Sequence, residues 1–187
     1  MRPATKRLKV ELLEQRLALS GMPWFEDSGQ QLGINSFGVP LGDLDGDGDL
    51  DAFVACFSGG QWSGLCRETV VWLNDGQGNL SPGWSDRITS STQVALGDLD
   101  GDNDLDVFIL MASGPGQTLP NQVWLNDGNG NFSDSGQRLA PGGNRITLGD
   151  LDSDGDLDAF LAYGGIWLKD GQGNFVDSGQ SVGRQNT

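Results

Sequence analysis

Asp43, Asp45, Asp47, Asp49 and Asp51 stand at every second position across nine residues. The spacing returns at Asp98, Asp100, Asp102, Asp104 and Asp106, and again at Asp150, Asp152, Asp154, Asp156 and Asp158. Five like charges packed so closely repel one another, so a folded loop of this kind needs a cation. Several oxygens converging from one short loop suit a hard divalent ion. Ca²⁺ accepts about six to eight of them at flexible geometry, whereas Mg²⁺ demands a tighter octahedron and keeps its waters.

The spacing assigns roles within each loop. Positions 1, 3, 5 and 9 are expected to offer side-chain oxygens, and position 7 (Asp49, Asp104, Asp156) its backbone carbonyl. Position 6 must turn sharply, which favours positive φ; Gly48 and Gly155 supply it freely and Asn103 is the next most tolerant residue. An EF-hand would need a bidentate Glu at position 12, where this chain has Val54, Ile109 and Leu161. The apolar runs after the loops, Ala52–Ala55, Val107–Leu110 and Ala159–Ala162, have strand length. The ion therefore belongs in a loop that feeds a strand, with a structural role. A solvated acidic turn is the competing reading, and three in-phase copies weigh against it.

Composition narrows the function. The chain of 187 residues is long enough for one domain with a core. Its net charge is −15, and the three loops hold 15 of its 26 acidic residues. Three divalent ions would bring the charge to about −9, so much of the acidity is ligand. Nucleic acid and anionic membranes are poor partners for such a chain. With no histidine, Ser-His-Asp and Cys-His catalysis, His-ligated zinc and a histidine pH switch are all excluded. Cys56 and Cys66 are the only cysteines; they either form a disulfide, as an oxidising exterior would favour, or stay as two thiols.

The elements that position the loops are repetitive. Residues 1–21 read as a leader: a basic start, then helical spacing from Val10 to Ser20, interrupted by Glu11, Glu14, Gln15 and Arg16, so neither a secretory signal nor a membrane span. The segment Leu12–Ser20 resembles a short basic N-terminal motif of large exported or surface proteins; a plain surface helix is the alternative. Residues 22–187 form the repeat region, in units of about 24–80, 80–132 and 132–182. Metal loops start at 43, 98 and 150, steps of 55 and 52 residues. Each is followed by a hairpin, Trp72-Leu73-Asn74-Asp75-Gly76, Trp124-Leu125-Asn126-Asp127-Gly128 and Trp167-Leu168-Lys169-Asp170-Gly171, in which Asp-Gly marks the turn. A closing motif follows at Phe132–Gln137 and Phe175–Gln180; it has decayed at Leu80–Ser85, and an extra copy stands at Phe25–Gln30.

Each unit thus has four strands. One precedes the loop (Gly38–Leu41, Gln93–Leu96, Arg145–Leu148), one follows it, the Trp-Leu strand is third and the strand opening the closing motif is fourth. Four antiparallel strands per unit is the pattern of a β-propeller blade. The fold class is all-β: three four-stranded antiparallel blades of a partial or oligomer-completed β-propeller, with Ca-binding Asp loops. Apolar residues do not alternate cleanly in the second strand, which suits a sheet covered on both faces. Trp72, Trp124 and Trp167 either fill the layers between blades or offer a sugar-stacking platform. The link between second and third strands varies most in length, which places these loops on one face.

Loop, hairpin and period together resemble the FG-GAP / VCBS-type repeat family, whose relatives include the integrin α-subunit propeller. The resemblance covers about residues 24–182. It implies Ca²⁺, about three ions at one per repeat, between the first two strands of each blade. Side-chain ligands would be Asp43, Asp45, Asp47 and Asp51; Asp98, Asp100, Asp102 and Asp106; and Asp150, Asp152, Asp154 and Asp158. Asp49, Asp104 and Asp156 would enter through backbone oxygen. Asn103 departs from the pattern and implies a somewhat weaker second site. The larger departure is three blades where the family closes with about seven. A fragment, a ring of two copies, and an open arc are all consistent with this.

The expected function is a calcium-stabilised extracellular or cell-surface recognition or scaffold module, not an enzyme, binding a protein or a glycan and open to homo-oligomer or larger propeller assembly. No direct membrane insertion is expected. Binding would fall to the loops at Gly59–Gly64 and Gly114–Pro120, with Trp62 the foremost contact. A Ca-dependent lectin using Trp62 or Trp84 is the alternative. A glycosidase or lyase is less favoured, because the leftover carboxylates Glu68, Asp86 and Asp134 show no pairing in sequence.

Overall fold

A computed structural model of the chain describes residues 28–30, 32, 36, 38–57, 67–112 and 118–181. Residues 1–21, Phe25–Asp27, Trp62 with its loop, Cys66 and Gly114–Gln117 lie outside the described residues. The chain divides into two units, Met1–Gln31 and Leu32–Thr187, and all described strands belong to the second. In the first, Ser28–Gln30 form a turn with Gly29 at φ 72° and the Gln30 N–H donating to Ser28 Oγ at 3.3 Å.

Twelve strands and no helix are present among the described residues. They form three four-stranded antiparallel sheets, each a meander in chain order. The first sheet comprises β1 (Leu41–Gly42), β2 (Asp51–Val54), β3 (Thr69–Asn74) and β4 (Leu80–Asp86). The second comprises β5 (Ser91–Gly97), β6 (Asp106–Met111), β7 (Asn121–Asn126) and β8 (Phe132–Leu139). The third comprises β9 (Arg145–Gly149), β10 (Asp158–Ala162), β11 (Gly165–Lys169) and β12 (Phe175–Asp177). The sheets therefore end after the strand that returns from each Trp hairpin, at Asp86, Leu139 and Asp177. The sequence boundaries at 80 and 132 fall where those return strands begin, and the strands pair back onto β3 and β7. The first strand of the first sheet is also shorter than its expected span from Gly38. Pro40 has no N–H to donate; its carbonyl still accepts the Phe53 N–H at 3.2 Å.

Neighbouring sheets pack face to face. The side chains of β6 leave alternately on its two faces, and all six of its residues are buried. Val107, Ile109 and Met111 join Leu44, Phe53 and Val71 of the first repeat in one apolar cluster. Phe108 and Leu110 join Ala159, Leu161 and Phe175 in a second. This double coverage is why the sequence of β6 reads as a continuous apolar run. Trp124 packs against the first cluster and Trp167 against the second.

Glycines at the ends of the first strands set the spacing between sheets. A Cβ on Gly42 would stand 2.5 Å from Leu105 Cδ1 and 3.2 Å from Leu96 Cδ1; on Gly97 it would stand 2.8 Å from Leu157 Cδ1 and 3.1 Å from Leu148 Cδ1. At Gly149, the third of the series, it would meet nothing within 4 Å. The matching leucines at the other end, Leu41 and Leu50, are 60% and 59% exposed. Leu44 and Leu99 are 1% exposed, whereas their counterpart Leu151 is 50% exposed. One interface thus recurs twice inside the chain, and its two halves recur again, apart, on the outer faces of the first and third sheets.

Candidate metal centres

Each acidic loop joins the first and second strands of a sheet. Position 6 lies in the left-handed region in all three loops: Gly48 at φ 92°, Asn103 at 73° and Gly155 at 97°. Position 4 does too, at Gly46, Gly101 and Ser153, a second turning point that the sequence reading did not single out. The first Asp explains the path. Asp43 accepts the Gly46 N–H at 2.8 Å and the Gly48 N–H at 3.0 Å; Asp98 and Asp150 accept the equivalent pairs. One carboxylate thus winds the loop around itself.

Position 9 does something different. Asp51, Asp106 and Asp158 are fully buried. One oxygen of each accepts the N–H of loop position 2, Leu44, Leu99 or Leu151, at 2.8 Å. The other accepts an N–H from the end of the third strand, Asn74 or Asn126 at 2.8 Å and Lys169 at 2.9 Å. These aspartates therefore fasten the loop to the hairpin.

Oxygens of positions 1, 3 and 9 converge. In the sets Asp43, Asp45, Asp51; Asp98, Asp100, Asp106; and Asp150, Asp152, Asp158, one ligand atom per residue lies within 4.8 Å of the others. Among the expected ligands, Asp47, Asp102 and Asp154 are not part of these sets; one oxygen of each accepts the N–H two residues on, at 2.9 Å. The position 7 side chains Asp49 and Asp104 lean on the hairpin glycines Gly76 and Gly128, where any Cβ would collide with their carboxylates.

The donor set fits a hard divalent cation: all oxygen, all anionic, three carboxylates per loop and no cationic side chain paired to them among the described residues. Electrostatics point the same way. Asp45, Asp100 and Asp152 are pushed above the usual carboxylate range, first by desolvation and then by neighbouring carboxylates. Burial pushes Asp106 up to about 6, against the pull of the Asn126 and Leu99 N–H groups. Groups that resist ionising together are relieved by a shared cation.

The hairpins facing the loops are self-contained. Asp75, Asp127 and Asp170 each accept backbone N–H bonds from residues two and four further on, and a side-chain bond from Asn79, Asn131 or Asn174. These bonds hold all three below the usual carboxylate range: Asp75 first through the Asn79 side chain, Asp127 through the Asn129 N–H and Asp170 through the Asn174 N–H. They are hairpin formers, separate from the candidate ligand sets.

Sequence reasoning missed two joints between sheets. Gln137 of the closing motif donates through Nε2 to the Gly173 carbonyl at 3.0 Å and accepts the Phe175 N–H at 2.9 Å, tying the second sheet to the third. Register places Trp84 at the same point of the first sheet: Ser85 pairs with Val70 as Arg138 pairs with Gln122. There the joint is aromatic, with Trp84 near Phe132 at 5.5 Å, Trp124 at 5.6 Å and Phe53 at 6.4 Å. The decayed motif is thus a substituted joint, and the Trp84 ring is engaged in packing instead of standing out for a sugar. The second missed residue, Asn126, donates through Nδ2 to the Leu44 carbonyl of the preceding loop at 2.9 Å. Its signal was visible as the repeated Trp-Leu-Asn, but only the packing reveals where the amide reaches.

Of the remaining expectations, Trp62 lies outside the described residues. Cys56 is disulfide-bonded; Cys66, the chain's other cysteine, lies outside the described residues. Asp134 pairs with Arg138 through both guanidinium nitrogens, which holds Asp134 below the usual carboxylate range, first through that hydrogen bond. The pair borders a groove of about 530 Å³ between the β4–β5 connection and the second sheet. Ile88, Met111 and Trp124 line it with apolar surface, and Asp86, Arg87 and Gln122 add polar groups. Trp124 Nε1 donates to Gln122 Oε1 at 3.0 Å; in the first sheet Val70 replaces that glutamine, and the buried Trp72 Nε1 has no partner among the described residues.

A family model for the FG-GAP-like repeat matches residues 43–109 and 98–161, so each match begins on the first Asp of an acidic loop. No curated protein matches the chain.

Proposed function

The chain belongs to the FG-GAP-like repeat family, and from that premise we propose that it is a calcium-stabilised recognition or scaffold module of the cell exterior, without catalytic activity. The observation that carries this reading is the threefold convergence of carboxylate oxygens from positions 1, 3 and 9. Such a site, all oxygen and partly exposed, suits Ca²⁺ over Mg²⁺ and suits the roughly 10⁻⁴–10⁻³ M calcium of extracellular modules. Asp49, Asp104 and Asp156 would add backbone oxygens, and Asp47, Asp102 and Asp154 a carboxylate oxygen each, to complete the shell. Bound calcium would neutralise the loop and hold the first and second strands of each sheet together at their ends.

Recognition would use the groove beside Trp124. Its apolar floor and mixed-charge rim suit a protein segment, and a planar indole flanked by Asp134, Arg138 and Gln122 also supports a second reading, a calcium-dependent glycan site. The exposed Leu41 and Leu50 at one end, with the open Gly149 and Leu151 at the other, favour association with further blades of the same kind, supplied by a second copy or a larger assembly.

Equilibrium dialysis tests the metal assignment. About three calcium ions per chain should be retained at millimolar supply, and Asp43→Asn, Asp98→Asn and Asp150→Asn should each remove one. Retention of none would refute it. A glycan array with and without calcium then separates the two recognition readings: calcium-dependent binding that Trp124→Ala abolishes supports the glycan site, and an empty array leaves the protein partner.

A further inference from the structure

Asn74, Asn126 and Lys169 occupy one position, the last residue of the third strand, and each gives its N–H to the buried position 9 aspartate of its own loop. Their side chains part ways. Asn74 turns inward: Nδ2 donates to the Leu50 carbonyl of its own loop at 3.1 Å, and Oδ1 accepts the Gly78 N–H at 3.1 Å. Asn126 reaches across. Its Nδ2 donates to the Leu105 carbonyl of its own loop at 3.3 Å and to the Leu44 carbonyl of the preceding loop at 2.9 Å. Asn126 is 6% exposed and its Oδ1 has no hydrogen-bond partner among the described residues. The reach thus leaves a buried acceptor unmatched among the described residues, a cost that the cross-loop bond must offset. Lys169 cannot make the same bridge with an amide. It lines the space that also borders Asp98, Asp100 and Gly101 of the second loop, and its Nζ lies 5.3 Å from the centre of the Phe175 ring.

We propose that Asn126 couples cation occupancy of the first loop to that of the second. This rests on the reading that the loops take calcium. Leu44 lies between two ligands, Asp43 and Asp45. Its N–H is held by a third, Asp51, and its carbonyl by Asn126. An ion in the first loop draws those three carboxylates together and so fixes the Leu44 peptide units. That fixes the Asn126 amide, whose backbone N–H in turn orients Asp106, a ligand of the second loop. The second ion then meets a loop already ordered on one side, and by linkage it strengthens the first by the same factor. At the next junction the position belongs to an ammonium, which shares the space beside Asp98 and Asp100 and relays no such bond. Coupling is therefore confined to the first pair of sites.

The test is a cycle read by calcorimetric calcium titration of the full chain, with the third loop silenced by Asp150→Asn. The first site is measured with the second intact and with it disabled by Asp98→Asn; the same pair is repeated in Asn126→Ala. With Asn126 present, disabling the second site should weaken the first about fivefold or more. In Asn126→Ala the two first-site affinities should agree. Lys169→Asn, with the first loop silenced instead, should create coupling between the second and third sites, a gain that a loss of folding cannot mimic. Equal weakening with and without Asn126, or no weakening in either, would overturn the coupling while leaving the calcium sites standing. Absence of calcium binding at every loop would overturn the coupling together with the reading beneath it.

Discussion

Gly42 and Leu105 meet where the first sheet touches the second, with Leu105 Cδ1 lying 2.5 Å from where a Cβ of Gly42 would stand. Leu105 is position 8 of the second acidic loop, so the packing of two sheets and the path of that loop share one side chain. Gly42→Ala should therefore cost about 1–3 kcal/mol by overpacking. Gly149→Ala, at the same position of the third sheet, meets nothing within 4 Å and should stay within about 0.5 kcal/mol of the parent. Urea unfolding of the two variants side by side checks this.

Chelation should lower the melting temperature. At millimolar calcium, about one to ten times a dissociation constant of about 10⁻⁴–10⁻³ M, each site adds about 0.4–1.4 kcal/mol. Three sites amount to roughly 1–4 kcal/mol, on the order of 3–15 °C for a domain of this size. Scanning calorimetry in millimolar calcium and in excess EGTA would measure the shift. Equal melting in both would remove structural calcium from the account.

Calcium affinity should fall on acidification. The metal-free fold raises Asp106 to about 6. A raised carboxylate pKa means the metal-free fold gains stability from protonation, fully present below the unfolded value and lost as pH rises through about 6. Calcium needs the ionised form, so proton and ion compete for Asp106. The apparent affinity of the second loop should hold above pH 7 and drop progressively below about 6, while the metal-free protein becomes more stable over the same interval. Titrations at a series of pH values, with the first and third loops silenced, would show it.

Gln137→Ala removes two bonds between the second and third sheets and should cost about 1–3 kcal/mol, at about 0.5–1.5 kcal/mol for each bond. Gln180→Ala, in the next copy of the motif, has no side-chain bond to lose among the described residues and should be near neutral. A Gln137→Ala protein as stable as the parent would show that the joint contributes nothing.

Light scattering with calcium present should report self-association. Leu41 and Leu50 are the exposed counterparts of Leu96 and Leu105, which seat against Gly42, and of Leu148 and Leu157, which seat against Gly97; the third sheet offers Gly149 and Leu151 uncovered. Leu50→Asp should return the mass to that of one chain. A parent protein that stays monomeric at high concentration would mean these faces do not recognise each other.

Much of this was legible from residue order because the determinants are local. Alternating aspartates, positive φ at position 6 and the Asp-Gly hairpins depend on neighbours within about ten residues. The four strands per repeat and the ion loop between the first two could therefore be read directly from Asp43–Asp51 and its copies. Double burial of β6 was legible too, since a strand covered on both faces has no polar alternation to show.

Contacts between repeats were decided only by the tertiary structure. Asp51 and Asp47 look alike in sequence, yet one is buried and bonded to both the loop and the third strand while the other accepts a single local N–H. What separates them is which side of the loop meets the third strand. Trp84 read as a decayed motif and a candidate sugar platform; a one-residue change in the bulge opposite β3 puts it where Gln137 stands in the next sheet. Asn126 and Asn74 share a motif, and only the presence of a preceding loop draws one amide across to the neighbouring repeat. Local sequence determined the acidic turns and the hairpins, because short-range hydrogen bonds and backbone sterics suffice to specify them. How one sheet sits on the next came from side chains brought together across some forty to eighty positions, and no spacing along the chain encodes that.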